Sequence, residues 1–179
     1  MTADGRRWVC LDVGETLIDE TRIWATWADL YGIARMTFIA AFGAVVARGG
    51  EHSDVFPLLG IRGWRERMPE IRARYGGFRP DDLYPDAIPA IAALRSRGFR
   101  VAVIGNQPAE RHAELQAIGI DPEVMAMSDA MGVAKPDPAF FSRSLALMGG
   151  PAPRDVAYVG DRPDRDVRPS AAAGMRAVW

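Results

Sequence analysis

The sequence predicts an α/β fold: a Rossmann-like parallel sheet core with helices on both faces, plus a small α-helical unit inserted after the first strand. Three observations carry this expectation. Trp8-Val9-Cys10-Leu11 is a short apolar run of the kind that makes a buried strand, and it ends at Asp12-Val13-Gly14. Three apolar stripes at helical spacing follow, with no strand between them. From Tyr84 onward, strand-like and helix-like segments alternate, which implies a parallel sheet with right-handed crossovers.

In chain order, the first stripe is Ile23, Trp24, Trp27, Leu30 and Tyr31, the second Phe38, Ile39, Phe42, Val45 and Val46, and the third Trp64, Met68, Ile71 and Tyr75. Arg48-Gly49-Gly50 and Tyr75-Gly76-Gly77 punctuate them. Their aromatic residues are expected to form the core of an insert over 18–83, leaving 1–17 and 84–179 to the sheet domain. A helix bearing Ile88, Ile91 and Leu94 comes next, with Pro89 in its first turn and Gly98 just past its end. Residues 99–104 form a strand that runs into Gly105-Asn106-Gln107-Pro108. A helix from about Pro108 to Ile118 stops at Gly119, and Val124–Met127 is a short strand. Lys135-Pro136-Asp137-Pro138 leads into a helix carrying Phe140, Phe141, Leu145 and Met148. Val156–Val159 is the next strand, followed by Gly160-Asp161-Arg162-Pro163-Asp164-Arg165-Asp166. A short helix to Ala173 and a strand over 175–179 finish the chain, and the lack of a segment closing that strand leads us to expect a downstream tail.

A chain of 179 residues suffices for one core and a small accessory unit. Lys and Arg (22) almost balance Asp and Glu (23), and no basic block stands out, so nucleic acid is not an expected partner. The polar N-terminus has no signal-peptide core, and no stretch approaches bilayer length. A soluble cytoplasmic protein without membrane association is expected. The single cysteine, Cys10, lies in a predicted buried strand without a partner, which fits a reducing compartment and an unreactive thiol. His112 reads as structural and His52 falls in a Gly-rich linker. Neither has a second His or Cys at metal-ligand spacing.

Asp12 stands at the carboxyl end of the first predicted strand, where open α/β sheets bind ligands. By itself it is a nucleophile, a metal ligand or a turn cap. Asn106, Lys135 and Asp161 also follow predicted strands and would converge on the same rim. Taken singly, Lys135 reads equally well as a solvated loop lysine, and Asp161 and Asp166 as a helix N-cap and its dipole partner. Their co-location is what those separate readings leave unexplained.

The ordered series Asp12-Val13-Gly14-Glu15-Thr16-Leu17, Gly105-Asn106, Lys135-Pro136-Asp137-Pro138, and Gly160-Asp161 with Asp166 five residues later resembles the four motifs of the haloacid dehalogenase (HAD) superfamily. The resemblance covers nearly the whole chain, and the insert is similar to that superfamily's helical cap. It implies a hydrolase with Asp12 as nucleophile and Lys135 as the group that holds both the nucleophile and the substrate's oxyanion. Gly105 and Asn106 would bind the transferred group. Mg²⁺ would be held by Asp12, Asp161 and the Gly14 carbonyl, with Asp166 acting directly or through water. An all-oxygen donor set suits that ion, and carboxylates sharing one rim repel one another without a cation. The partner implied is a small-molecule phosphorylated substrate, attacked to give an aspartyl intermediate that water hydrolyses, with the cap closing over it. Oligomeric state is open, a homodimer included.

Two positions depart from the superfamily's phosphatase form. Gly14 stands where a second aspartate serves as general acid and base, a contribution of ~10²–10⁴-fold. Gly105 replaces a Ser or Thr, leaving backbone N–H groups and Asn106 to hold a phosphate. Three readings follow: a Mg²⁺-dependent phosphatase with a substitute acid such as Glu15, which reads more readily as solvent-facing; a 2-haloacid dehalogenase, against which the Asp161 and Asp166 pair speaks; and a catalytically degenerate metal- and anion-binding protein.

Overall fold

A computed structural model describes residues 7–179. The first six residues, assigned above to the sheet domain and read as part of a polar N-terminus, lie outside the described residues. The strands are β1 (Trp8–Leu11), β2 (Arg100–Gly105), β3 (Val124–Met127), β4 (Val156–Val159) and β5 (Arg176–Val178). The helices are α1 (Thr21–Leu30), α2 (Arg35–Ala47), α3 (Val55–Leu58), α4 (Met68–Tyr75), α5 (Ala87–Ser96), α6 (Arg111–Ala117), α7 (Ser128–Met131), α8 (Pro138–Leu147) and α9 (Arg168–Ala172). The chain divides into two compact units, Glu20–Gly77 and the remainder.

The larger unit is built on a five-stranded parallel sheet ordered β3-β2-β1-β4-β5. β1 is central and buried over all four residues. Trp8, Cys10, Ala102, Ile104, Val156 and Tyr158 pack with Phe140, Phe141 and Met148 of α8 and its end. The intervening Val9, Leu11, Val101 and Val103 are buried as well. A parallel sheet covered on both faces has this continuous apolar character, which is why its strands read from the sequence as runs and not as alternations. Parallel register places Leu11 beside Val103 and Val159, so the loops that follow these strands leave at one edge.

Several elements differ from the sequence reading. The helix expected from Pro108 begins at Arg111, and a four-residue helix, α7, intervenes between β3 and Lys135. β5 is shorter than 175–179, because the Met175 N–H donates to the Ser170 carbonyl at 3.0 Å and closes the end of α9. Residues 17–19 and 82–84 run side by side. Tyr84 N–H donates to the Leu17 carbonyl, Asp19 N–H donates to the Asp82 carbonyl, and Ile18 pairs with Leu83.

The smaller unit is helical and has its own core of Trp27, Ala28, Phe38, Val45, Val55, Phe56, Ile61 and Ile71. Trp24 stacks on Phe42 at 4.1 Å, Phe56 stacks on Trp64 at 4.5 Å, and Trp27 meets Phe56 edge-on at 4.7 Å. Offset and edge contacts of this kind are the favoured aromatic geometries. Two positions depart from the stripes: Ile39 is 36% exposed, and Phe56, on the short α3, joins the core. Among the described residues, no single helix is long and apolar enough to cross a membrane.

Candidate active site

β1 delivers Asp12 to the rim, and the Asp12 N–H is fixed there by the Val159 carbonyl at 2.9 Å. The Asp12 side chain meets Lys135, whose Nζ lies 2.8 Å from Asp12 Oδ1 and 2.5 Å from Asp166 Oδ1. All three groups are nearly sealed from solvent, with exposures of 7% for Asp12, 4% for Lys135 and 1% for Asp166. Lys135 is the chain's only lysine. Its ammonium sits over the rings of Tyr158 at 5.4 Å and Phe140 at 5.8 Å.

Asp166 owes its position to a wide turn over Pro163–Val167, in which the N–H groups of Arg165, Asp166 and Val167 all reach the Arg162 carbonyl. Such turns are rare and concentrate at functional sites. The turn aims Asp166 back at its own start, where Oδ2 accepts the Arg162 N–H at 2.9 Å. Gly160 makes room for this: a Cβ there would lie 2.4 Å from the Asp166 Cγ. Asp161, on the same loop, completes an acidic trio. Asp12, Asp161 and Asp166 each bring one carboxylate oxygen within 4.8 Å of the others.

The electrostatics of this cluster are under tension. Burial raises the Asp12 carboxyl above the ordinary carboxylate range, Lys135 pulls it back, and Asp166 raises it again. Burial alone would lower the Lys135 ammonium, but Asp12 and Asp166 outweigh it and keep the group charged. Asp161 is pushed up to about 7, by burial first and then by the charges of Asp12 and Asp166. One ammonium does not neutralise three carboxylates. Three hard oxygen donors in mutual reach, with excess negative charge, fit a divalent cation of the Mg²⁺ type.

The rest of the sequence-predicted set falls around this cluster. Asn106 is at the exit of β2, where its side chain grips the Lys135 backbone through two hydrogen bonds of 2.8 and 2.9 Å. Gly105 faces Asp12 so closely that a Cβ would lie 2.6 Å from Asp12 Oδ1. Gly14 lies two residues beyond Asp12 and pairs with Ile18. Glu15 adopts a left-handed backbone, φ 52°, unusual for a residue with a side chain. Its exposed carboxylate accepts the Tyr84 hydroxyl at 2.6 Å, and burial together with Glu15 pushes that phenol up. His52 packs against Trp24 and Phe42 in the helical unit. Cys10 is buried, and burial raises its thiol.

Sequence reasoning passed over Arg162, Arg165, Tyr84 and Trp179. Arg162 pairs with Asp164 at 2.7 Å, Arg165 donates to the Lys135 carbonyl at 3.1 Å, and the Trp179 indole N–H donates to the Asp161 carbonyl at 2.9 Å. The alternation of Arg and Asp through 161–166 is the one sequence signal that could have pointed to the two arginines.

Known proteins resemble this chain in sequence and in fold. The chain is 38% identical over 100 residues to a phosphoserine phosphatase of Thermus thermophilus, covering 54% of this chain and 40% of that protein. It is 36% identical over 142 residues to a glyceraldehyde 3-phosphate phosphatase of Methanopyrus kandleri, covering 73% of this chain and 59% of that one. The chain thus spans about half the length of the curated relatives it matches. Among solved structures it is similar in fold to the HAD-hydrolase YfnB of Bacillus subtilis bound to magnesium, with a TM-score of 0.76 at 15% identity, covering 97% of this chain and 86% of that one. A profile of the haloacid dehalogenase-like hydrolases matches residues 7–174, and the chain belongs to that family.

Proposed function

We propose that the chain is a Mg²⁺-dependent, cytoplasmic phosphatase acting on a small phosphorylated metabolite through an aspartyl-phosphate intermediate. The observation that carries this reading is the trio Asp12, Asp161 and Asp166 within 4.8 Å, with the Lys135 ammonium 2.8 Å from Asp12. Asp12, Asp161 and the Gly14 carbonyl would hold the ion, with Asp166 acting directly or through water, and the ion supplies Lewis-acid stabilisation of phosphoryl charge. An Asp12 carboxylate oxygen attacks phosphorus as the bond to the substrate's alcohol oxygen breaks. The leaving alkoxide takes a proton from solvent, and water then cleaves the acyl phosphate, giving a proton back to solvent and freeing Asp12 and phosphate. Lys135 steadies the Asp12 carboxylate before attack and the phosphoryl oxygens afterwards. Backbone N–H groups at the Gly105-Asn106 turn would face the phosphate. The helical unit, Glu20–Gly77 within the expected insert over 18–83, would serve as a cap that shields the reaction from water.

Glu15, next in sequence to Gly14, carries a carboxylate that accepts the Tyr84 hydroxyl and is the candidate substitute acid. The absence of a carboxylate at position 14 favours a second reading, hydrolysis of 2-haloacids, whose leaving group needs no proton. The two are separated by assaying phosphate esters, acyl phosphates and 2-haloacids with and without Mg²⁺, with Asp12→Asn as control. Phosphate release that requires both Asp12 and the metal supports the phosphatase. Halide release without metal supports the dehalogenase. Mg²⁺ binding without turnover on the panel would overturn both and indicate a degenerate binding protein.

A further inference from the structure

Asn106 directs its side-chain hydrogen bonds to a neighbour's backbone. Its Oδ1 accepts the Lys135 N–H at 2.8 Å, and its Nδ2 donates to the Lys135 carbonyl at 2.9 Å. One donor and one acceptor of the amide are therefore taken up by one residue's backbone, as a neighbouring strand would do. The Lys135 carbonyl receives a second donor, Arg165 Nη1 at 3.1 Å, which fills its remaining lone pair. Arg165 comes from the wide turn after β4, Asn106 from the exit of β2, and Lys135 from the loop beyond α7. Three rim loops are thus tied together at one peptide unit. The far end of the same lysine, four methylenes away, reaches Asp12 and Asp166. A flexible side chain of this kind holds its ammonium in place only if its backbone is also fixed.

We infer that Asn106 and Arg165 are positioning residues for Lys135, and that the main effect of the Asn106 side chain is on the placement of that lysine. The inference rests on the reading of Lys135 as the group acting on Asp12 and the phosphate. It differs from the sequence expectation for Asn106 by moving that residue's effect from substrate affinity to the placement of a charge. A displacement of about 1 Å in such a group can cost on the order of 10²-fold in rate.

The sole lysine gives a readout that does not depend on turnover. Reductive methylation with formaldehyde and cyanoborohydride, followed by peptide mass spectrometry, reports only on Lys135 and the α-amino group. Lys135 should resist labelling in the wild-type protein and label about thirtyfold faster in Asn106→Ala, the factor implied by two lost hydrogen bonds of ordinary strength. Arg165→Met should give a smaller increase, and Asn106→Asp, which keeps only the acceptor, should fall between. If Asn106→Ala fails to fold by circular dichroism, the other two variants carry the same measurement. Unchanged protection in the folded variants would overturn the brace. The kinetic arm is a double-mutant cycle. Asn106→Ala should lower kcat with little change in KM, yet cost less than about threefold once Lys135→Met is present, since residues that act as a unit are not additive. An equal cost in both backgrounds, or an effect confined to KM, would return Asn106 to substrate binding. A protein that labels as expected but turns over no phosphate compound would leave the brace standing and remove the phosphatase assignment.

Discussion

The two compact units place their charges in opposite ways. In the sheet unit, Asp12, Lys135, Arg162 and Asp166 are all buried at one rim. In the helical unit the interior is aromatic and aliphatic, and its ion pairs, Arg35 with Asp29 and Glu70 with both Arg67 and Arg74, lie on the surface. Surface pairs gain little, because water screens them and two long side chains must be ordered. Buried charge is costly unless fully paired, so a cluster of it at one rim marks a candidate functional site more than a source of stability. The helical unit is held by packing, the sheet rim by electrostatic balance.

That contrast can be broken at several points. Lys135→Met should have the largest effect. It strands Asp12 and Asp166 without their cation, and removing one partner of a buried pair costs about 3–5 kcal/mol. Urea unfolding in chelator should show the loss and added Mg²⁺ should recover part of it, whereas a loss below about 1 kcal/mol would contradict the pairing. Trp27→Ala, in the aromatic core, should cost about 3–5 kcal/mol through a cavity. Mg²⁺ titration of that variant at low temperature should match the wild type, and weakened metal binding would show that the two kinds of stabilisation are not separate. Gly160→Ala should cost about 1–3 kcal/mol by driving a Cβ into Asp166, with weaker Mg²⁺ binding by calorimetry.

The fourth test uses pH. Asp161 sits at about 7 against an ordinary 3.8, so the folded protein holds this proton more tightly than the unfolded chain does. Its contribution therefore favours the fold most below pH 4 and is lost as pH rises through 7. In chelator, the unfolding midpoint should decline across that window, and Asp161→Asn should flatten the decline. With Mg²⁺ present the decline should vanish, with proton uptake or release on binding measured in buffers of different ionisation enthalpy. The smallest effect belongs to Glu70→Gln, where breaking two exposed pairs should leave the melting temperature unchanged within error.

The parts of the molecule visible in the sequence are those where local pattern and tertiary role coincide. Trp8–Leu11 and 99–104 read as strands because burial on both faces makes them uniformly apolar. Asp12 and Asp161 are legible because each directly follows a strand, and parallel strands present their carboxyl ends together; Lys135 and Asp166 lie farther along the loops that leave the same edge. What stayed hidden depends on geometry that no spacing encodes. The wide turn at Pro163–Val167 brings Asp166 back onto the Arg162 N–H, and helical periodicity cannot express an i to i+5 turn. Tyr84 lies 69 residues from Glu15, and only the pairing of Leu17 with Tyr84 brings them together. Phe56 escaped notice because four residues, one of them proline, are too few to show a period.

Gly105 carries a consequence for how this sequence can change. A side chain at that position would begin 2.6 Å from Asp12 Oδ1 and 3.0 Å from Val13 Cγ2. Placing a hydroxyl-bearing side chain there would force the Asp12 carboxylate to turn off its lysine, so that single change is deleterious. The glycine is thus held in place by its neighbour, and any larger residue requires the two loops to change in concert.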